Sequence, residues 1–215
     1  MVTVALAVVV IYLLLAFALR TLLQLRRTGV SGVRGFSATP GSPEWFAGAV
    51  FAISLVLAVI GPVLQLAGVV EPLTMLDAGW VQIAGLGLAL LGGVGTLFAQ
   101  EQMGSSWRVG VEEGERTELV TSGIFTRVRN PIFTAMLVAA VGLAMMVPNP
   151  IALAAVAALL AGLKLQTRIV EEPYLLRTHG PAYAAYAARV GRFVPGIGRL
   201  RPSAAGGSAR AIPHR

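Results

Sequence analysis

The sequence predicts an all-α integral membrane protein with five transmembrane helices, N-terminus outside and C-terminus in the cytoplasm. Three observations carry this. The chain is 56% hydrophobic and only 13% charged, with a mean hydropathy of +0.76, which is membrane rather than globular composition. Four uncharged stretches stand out at Met1–Leu19, Trp45–Val70, Ala78–Gln100 and Asn130–Leu163. The last is far longer than the roughly 20 residues that span a bilayer, and Pro148-Asn149-Pro150 divides it into two antiparallel helices.

Basic residues set the orientation. Arg20, Arg26, Arg27 and Arg34 follow the first span, and Arg108, Arg116, Arg127 and Arg129 follow the third. Lys164, Arg168 and the arginines from Arg177 to Arg215 lie at or beyond the end of the fifth. The turns at 68–77 and 148–150 carry no Lys or Arg, so all 17 basic residues fall on one side. The positive-inside rule makes that side the cytoplasm. The net charge of +7 also suits contact with anionic headgroups. Nucleic acid is not expected as a partner.

The elements follow in order. Span one, Val2–Leu19, lacks a basic leader and reads as a retained anchor. The segment Arg20–Glu44, rich in Gly and Pro, reads as a cytoplasmic loop. Gly61-Pro62 predicts a kink in span two. Gly85–Ala89–Gly93 in span three and Ala154–Ala158–Gly162 in span five have the small-residue spacing that lets helix backbones approach closely. Glu112-Glu113-Gly114 marks a turn in the polar segment after span three, and His179 reads as an exposed loop residue. Beyond Glu172, Leu175, Leu176, Tyr183 and Tyr186 suit one or two interfacial helices. The tail 202–215 has a disordered composition. The organisation is thus N-terminal spans in 1–99, a second half in 100–201 containing the hairpin 131–168, and the tail.

Charge converges at the open end of that hairpin. Arg127, Arg129, Asn130 and Pro131 begin it, and Lys164, Arg168, Glu171 and Glu172 end it. Counting outward from Asn149, Arg129 falls opposite residues near 169, so cationic and anionic groups meet at one membrane depth. Arg168 and Glu172 also stand four apart, where they can pair with each other on a wet helix surface. The chain has no cysteine and two histidines, so a cysteine nucleophile or cysteine metal site is excluded and no metal is expected.

Thr121-Ser122-Gly123-Ile124-Phe125, Val128-Arg129-Asn130-Pro131-Ile132-Phe133, Glu171-Glu172 with Leu175, and Gly180, Tyr183, Tyr186, Val190, Arg192-Phe193 and Pro195 together resemble the isoprenylcysteine carboxyl methyltransferase family. This superfamily of integral-membrane methyltransferases includes phospholipid N-methyltransferases. The resemblance covers about Met103 to Pro195. It implies S-adenosyl-L-methionine as cofactor, bound at the cytoplasmic side under the C-terminal helices. It also implies a lipophilic acceptor reaching the site from the bilayer: an isoprenoid, a lipid or a prenylcysteine-like group.

Carried over by position, the cofactor pocket would involve Glu118, Leu119, Val120, Phe125, Asn130, Pro131, Ile132, Phe133 and Glu171, and Arg129 with the helix N-terminus at Pro131 would suit the cofactor's carboxylate. Arg168 and Glu172 would serve catalysis, Arg168 orienting an anionic acceptor and Glu172 taking a proton from an amine or hydroxyl. Phe125 and Phe133 replace the family's usual tyrosines, Asn130 its histidine, and Pro173 is expected to bend or restart the helix after the acidic pair. A sterol-reductase-type enzyme using NADPH and a non-enzymatic scaffold are the alternatives. One Lys against 16 Arg points to a GC-rich, bacterial coding bias, and so to a bacterial cytoplasmic membrane.

Overall fold

The computed structural model describes residues 1–31, 39–107 and 118–200. Among them the chain is helical throughout, with only isolated bridges and no strand. Five helices form the body: α1 (Val2–Thr28), α2 (Pro43–Leu66), α3 (Gly79–Met103), α4 (Pro131–Met146) and α5 (Pro150–Leu165). A π-helical turn, Gln166–Glu171, then leads without a break into α6 (Glu172–Arg189). By length and composition α1, α2, α3 and the continuous α5–α6 helix can cross a membrane, whereas α4 has 16 residues and is shorter.

The first helix runs past its predicted end. The segment from Arg20 was expected as a loop, but it stays helical to Thr28 and stops at Gly29, whose φ of 76° makes a left-handed cap. Arg20 and Gln24 are buried there, which removes their reason to leave the helix. The Arg20 guanidinium donates to the carbonyls of Gln100 (3.2 Å) and Gly104 (2.7 Å) and stacks on Trp107. Upstream, residues 14–19 are π-helical, and Gln100 Nε2 donates to the Ala16 carbonyl inside that stretch. Arg34, Arg108, Arg116, the Glu112-Glu113-Gly114 turn and the tail 202–215 lie outside the described residues.

Helices pair as α3 with α4 and α2 with α5, with α1 packed mainly on α2. Small residues explain the closeness, although not always the ones expected. Gly85, Ala89 and Gly92 face α4, while Gly93 turns toward Tyr12. A Cβ on Gly92 would lie 2.7 Å from the Ala135 carbonyl, and one on Gly142 would lie 2.6 Å from the Gly85 carbonyl. On α5 the buried row is Ala152, Ala155, Leu159 and Gly162 rather than Ala154 and Ala158. Gly162 backs onto Phe51 of α2.

The hairpin turn is where the prolines place it. Asn149 is fully buried, accepts from the Ala152 N–H, and donates to the Gly61 carbonyl and to Gln65 Oε1. Helix α2 continues through Pro62 to Leu66. Pro173 likewise leaves the helix intact. The non-helical residue in α6 is Gly180 (φ 50°), which separates two short arms.

Candidate functional site

The segment before α4 and the segment after α6 lie side by side. Val128 and Gly191 form a parallel bridge. The Arg129 N–H donates to the Gly191 carbonyl (2.8 Å) and the Asn130 N–H to the Arg192 carbonyl (3.1 Å). Asn130 Nδ2 donates to that same carbonyl (3.1 Å), and Thr134, one turn into α4, donates to the Phe193 carbonyl at 2.7 Å.

Arg129 is the centre of this knot. Its side chain is buried, and its nitrogens reach the carbonyls of Ala187 (2.6 Å), Val190 (3.2 Å) and Gly198 (3.1 Å). They also reach Glu172 Oε1 at 2.6 Å. Arg192 closes on the same carboxylate from the other side, Nε to Oε1 and Nη2 to Oε2, each at 2.8 Å. That hydrogen bond raises the Arg192 guanidinium above its usual range. Charge-assisted, partly bidentate pairing of this kind fixes orientation as well as energy.

The expected meeting of basic and acidic ends is therefore present, with a different division of labour. Glu172 faces Arg129 and Arg192, not Arg168 four residues earlier. Both its oxygens accept from guanidinium groups, which leaves the proton-acceptor role without a free oxygen. Arg129 spends its four Nη donors on Glu172 and three carbonyls and keeps only a buried Nε–H, so it has no pair of donors left for the carboxylate of a ligand. Arg168 is exposed and Glu171 half-buried on the π-helical turn. Wide turns of this type occur often at functional sites.

Of the remaining expected residues, Phe125 and Leu119 sit against α6. Phe125 is buried on a 3₁₀ turn, Gly123–Thr126, held from two sides. Tyr186 donates its hydroxyl to the Phe125 carbonyl (2.7 Å), and Gln102 accepts from the Ile124 N–H (2.8 Å). Leu119 packs on the Tyr183, Tyr186 and Ala187 cluster, Val120 is half-buried and Glu118 exposed. Pro131 is buried at the first position of α4, and the N-cap residue Asn130 makes no side-chain cap there. Phe133 instead turns into the membrane body, against the Met136, Leu159 and Leu163 cluster. His179 is half-buried within α6 rather than exposed in a loop. Sequence reasoning missed Gln102, Thr134 and the pairing role of Arg192. Only the Arg192-Phe193-x-Pro195 spacing signalled any of them.

The donor set fits a zwitterionic sulfonium nucleoside. It offers an uncapped helix N-terminus for a carboxylate, a half-buried carboxylate at Glu171 for a cation or hydroxyls, and buried aromatic surface at Phe125. No group of three or more metal-ligating side chains occurs among the described residues.

Fold and site together define an all-helical integral membrane protein in which the segments before α4 and after α6 lock together at one end of a hydrophobic hairpin. Residues 80–182 match the family model described as phospholipid methyltransferase. The chain is 30% identical over 118 residues to protein-S-isoprenylcysteine O-methyltransferase B of Arabidopsis thaliana, covering 54% of this chain and 60% of that protein. It is 32% identical over 126 residues to the nickel-cobalt-cadmium resistance protein NccN of Alcaligenes xylosoxydans xylosoxydans, covering 58% and 56% respectively. The chain thus spans about three fifths of the curated relatives it matches. Among solved structures, the eukaryotic intramembrane Ras methyltransferase ICMT (isoprenylcysteine carboxyl methyltransferase) superposes with a TM-score of 0.54 at 21% identity, over 85% of this chain and 62% of that one. Over the matched residues the chain is thus similar to membrane methyltransferases of the phospholipid and isoprenylcysteine carboxyl types, and its fold is that of the solved isoprenylcysteine carboxyl methyltransferase.

Proposed function

We propose that this protein is an S-adenosyl-L-methionine-dependent methyltransferase acting on a lipophilic acceptor at the cytoplasmic face of a bacterial membrane. In this reading α1 to α5 are the five spans, the N-terminus is outside, and α6 roofs the donor pocket. The observation that carries it is the knot of Arg129, Glu172 and Arg192. It ties the turn that carries Glu171 to the N-terminus of α4 at one end of an apolar hairpin, and Tyr186 holds Phe125 to the same α6.

S-adenosyl-L-methionine would supply an electrophilic methyl group there. Glu171 would hold its ammonium or ribose hydroxyls, and the N–H groups opening α4 its carboxylate. Phe125, with Leu119 and Val120 beside it, would give the apolar wall. Arg168, exposed on the π-helical turn, would orient a polar acceptor head whose tail stays in lipid. Glu172 and Arg129 would position rather than react. Methyl transfer by displacement gains mostly from alignment and water exclusion, and both need a rigid roof.

The test is calorimetry and label transfer on the protein in nanodiscs. S-adenosyl-L-methionine should bind, Glu171→Ala should weaken that binding at least tenfold, and tritiated donor should label one component of a native lipid extract. Arg168→Ala should leave donor binding intact and depress transfer. A thermal shift with NADPH and none with S-adenosyl-L-methionine would overturn the proposal in favour of a reductase.

A further inference from the structure

The segment after α6 makes a tight reversal, Val194 to Ile197, that none of the roles above uses. Arg192 N–H donates to the Ile197 carbonyl (2.8 Å) and Ile197 N–H to the Val194 carbonyl (3.1 Å). Gly196 and Gly198 take φ of 77° and 75° to make the turn. Gly191 lets it close, because a Cβ there would lie 2.8 Å from the Ile197 carbonyl. The knuckle is thus rigid, yet its side chains face outward. Val194 is 48% exposed, Ile197 67%, and Pro195 is exposed between them.

Its direction is fixed by the parallel bridge. Because Val128 and Gly191 pair in parallel, residues 191–193 run the same way as 128–134, and that is the way α4 enters its apolar course. The Phe193 carbonyl is already level with Thr134, three residues beyond Pro131. At 1.5 Å per residue that is roughly 5 Å past the helix start. Val194 and Pro195 follow at the tip of the knuckle, and the reversal brings Ile197 back beside Arg192. Arg189 and Arg199 are exposed, the Arg199 guanidinium lies beside Gly196, and Arg192 sits on Glu172, so guanidinium groups flank the apolar tip.

We infer that Val194, Pro195 and Ile197 form a membrane-dipping anchor. It seats in the acyl–headgroup boundary beside α4 and holds the roof helix against the bilayer. The partner is an anionic lipid surface: apolar tips seat to about 5–10 Å, and arginines at headgroup height add attraction. The inference needs α4 to be embedded but does not depend on the methyl-transfer reading.

Depth measurement by nitroxide labelling tests it. The wild-type chain has no cysteine, so Ile197→Cys, Val194→Cys and Arg199→Cys each give a single label on the full-length protein. The vesicles would be phosphatidylcholine with on the order of a third phosphatidylglycerol, enough to give the surface a negative potential. Leu90→Cys, on the outward face of α3, serves as the lipid-exposed reference. Labels at 194 and 197 should favour oxygen over a water-soluble nickel complex, as at 90, and the label at 199 should do the opposite. All four sites are surface positions, so native thermal stability of each labelled protein is the folding control. Two results would overturn the inference: nickel accessibility at 194 and 197 equal to that at 199, or protection from both relaxers, which would mean that protein covers the knuckle. A membrane-seated knuckle on a protein that binds no S-adenosyl-L-methionine would refute the function and leave the anchor standing.

Discussion

Replacing Glu172 by Gln keeps the shape of the knot and removes its only negative charge. Oε1 now receives Arg129 Nη2 at 2.6 Å and Arg192 Nε at 2.8 Å, and Oε2 receives Arg192 Nη2. In Glu172→Gln an amide N–H₂ must face one of those donors, and two guanidinium groups lose their counter-charge. The Arg129 side chain is 2% exposed and that of Arg192 14%, so water cannot compensate the first and barely reaches the second. Breaking a buried ion pair from one side costs about 3–5 kcal/mol. That equals a hundredfold or greater shift in the opening of the C-terminal segment.

Amide exchange in nanodiscs reads this opening directly. The N–H groups of Arg129, Asn130, Arg192 and Leu200 each cross between the two segments or close the final turn. All four should exchange on the order of a hundred times faster in Glu172→Gln, while the Ala152 N–H at the hairpin turn stays protected. Arg129→Met should be similarly costly. The double variant should cost less than the sum by about 1 kcal/mol or more, because each change removes what the other leaves unpaired. Additive losses, or exchange accelerated less than about fivefold, would show that the knot is ornamental.

Other expectations are simpler. Gly123→Ala should destabilise by about 1–2 kcal/mol, since Gly123 has φ +58° and an added Cβ strikes Gln102; Gln102→Ala should not rescue it, because the backbone strain remains. Gly142→Ala should cost about 1–3 kcal/mol in thermal unfolding by forcing α3 and α4 apart, whereas Gly87→Ala, with nothing within 4 Å, should be neutral or better. Asn149→Ala should lower stability by roughly 1–2 kcal/mol through loss of its cap to Ala152, with no change in donor affinity.

The helical body was legible because lipid leaves few options. Uncharged runs long enough to span must be helices, and Pro148-Asn149-Pro150 could only be a turn. The end of α1 was not legible, since Arg20 looks solvent-seeking until the Gln100 and Gly104 carbonyls and Trp107, at and just beyond the end of α3, bury it. The gathering of charge at the hairpin's open end followed from counting residues. Which carboxylate faces which guanidinium did not, because the π-helical turn at 166–171 alters the register on which an i,i+4 argument depends. Nor does periodicity announce that Arg192, beyond the last helix, returns to Glu172.

The clamp on Arg129 draws its bonds from far along the chain: Glu172 is 43 residues later, Ala187 58 and Gly198 69. During synthesis the hairpin can therefore reach the bilayer while its guanidinium is still solvated, and the clamp closes only once residues up to Gly198 have emerged. A chain cut back to Arg189 would keep its membrane body but lose the Arg192 and Gly198 arms of the clamp. Non-local contacts of this kind are the slow ones to form.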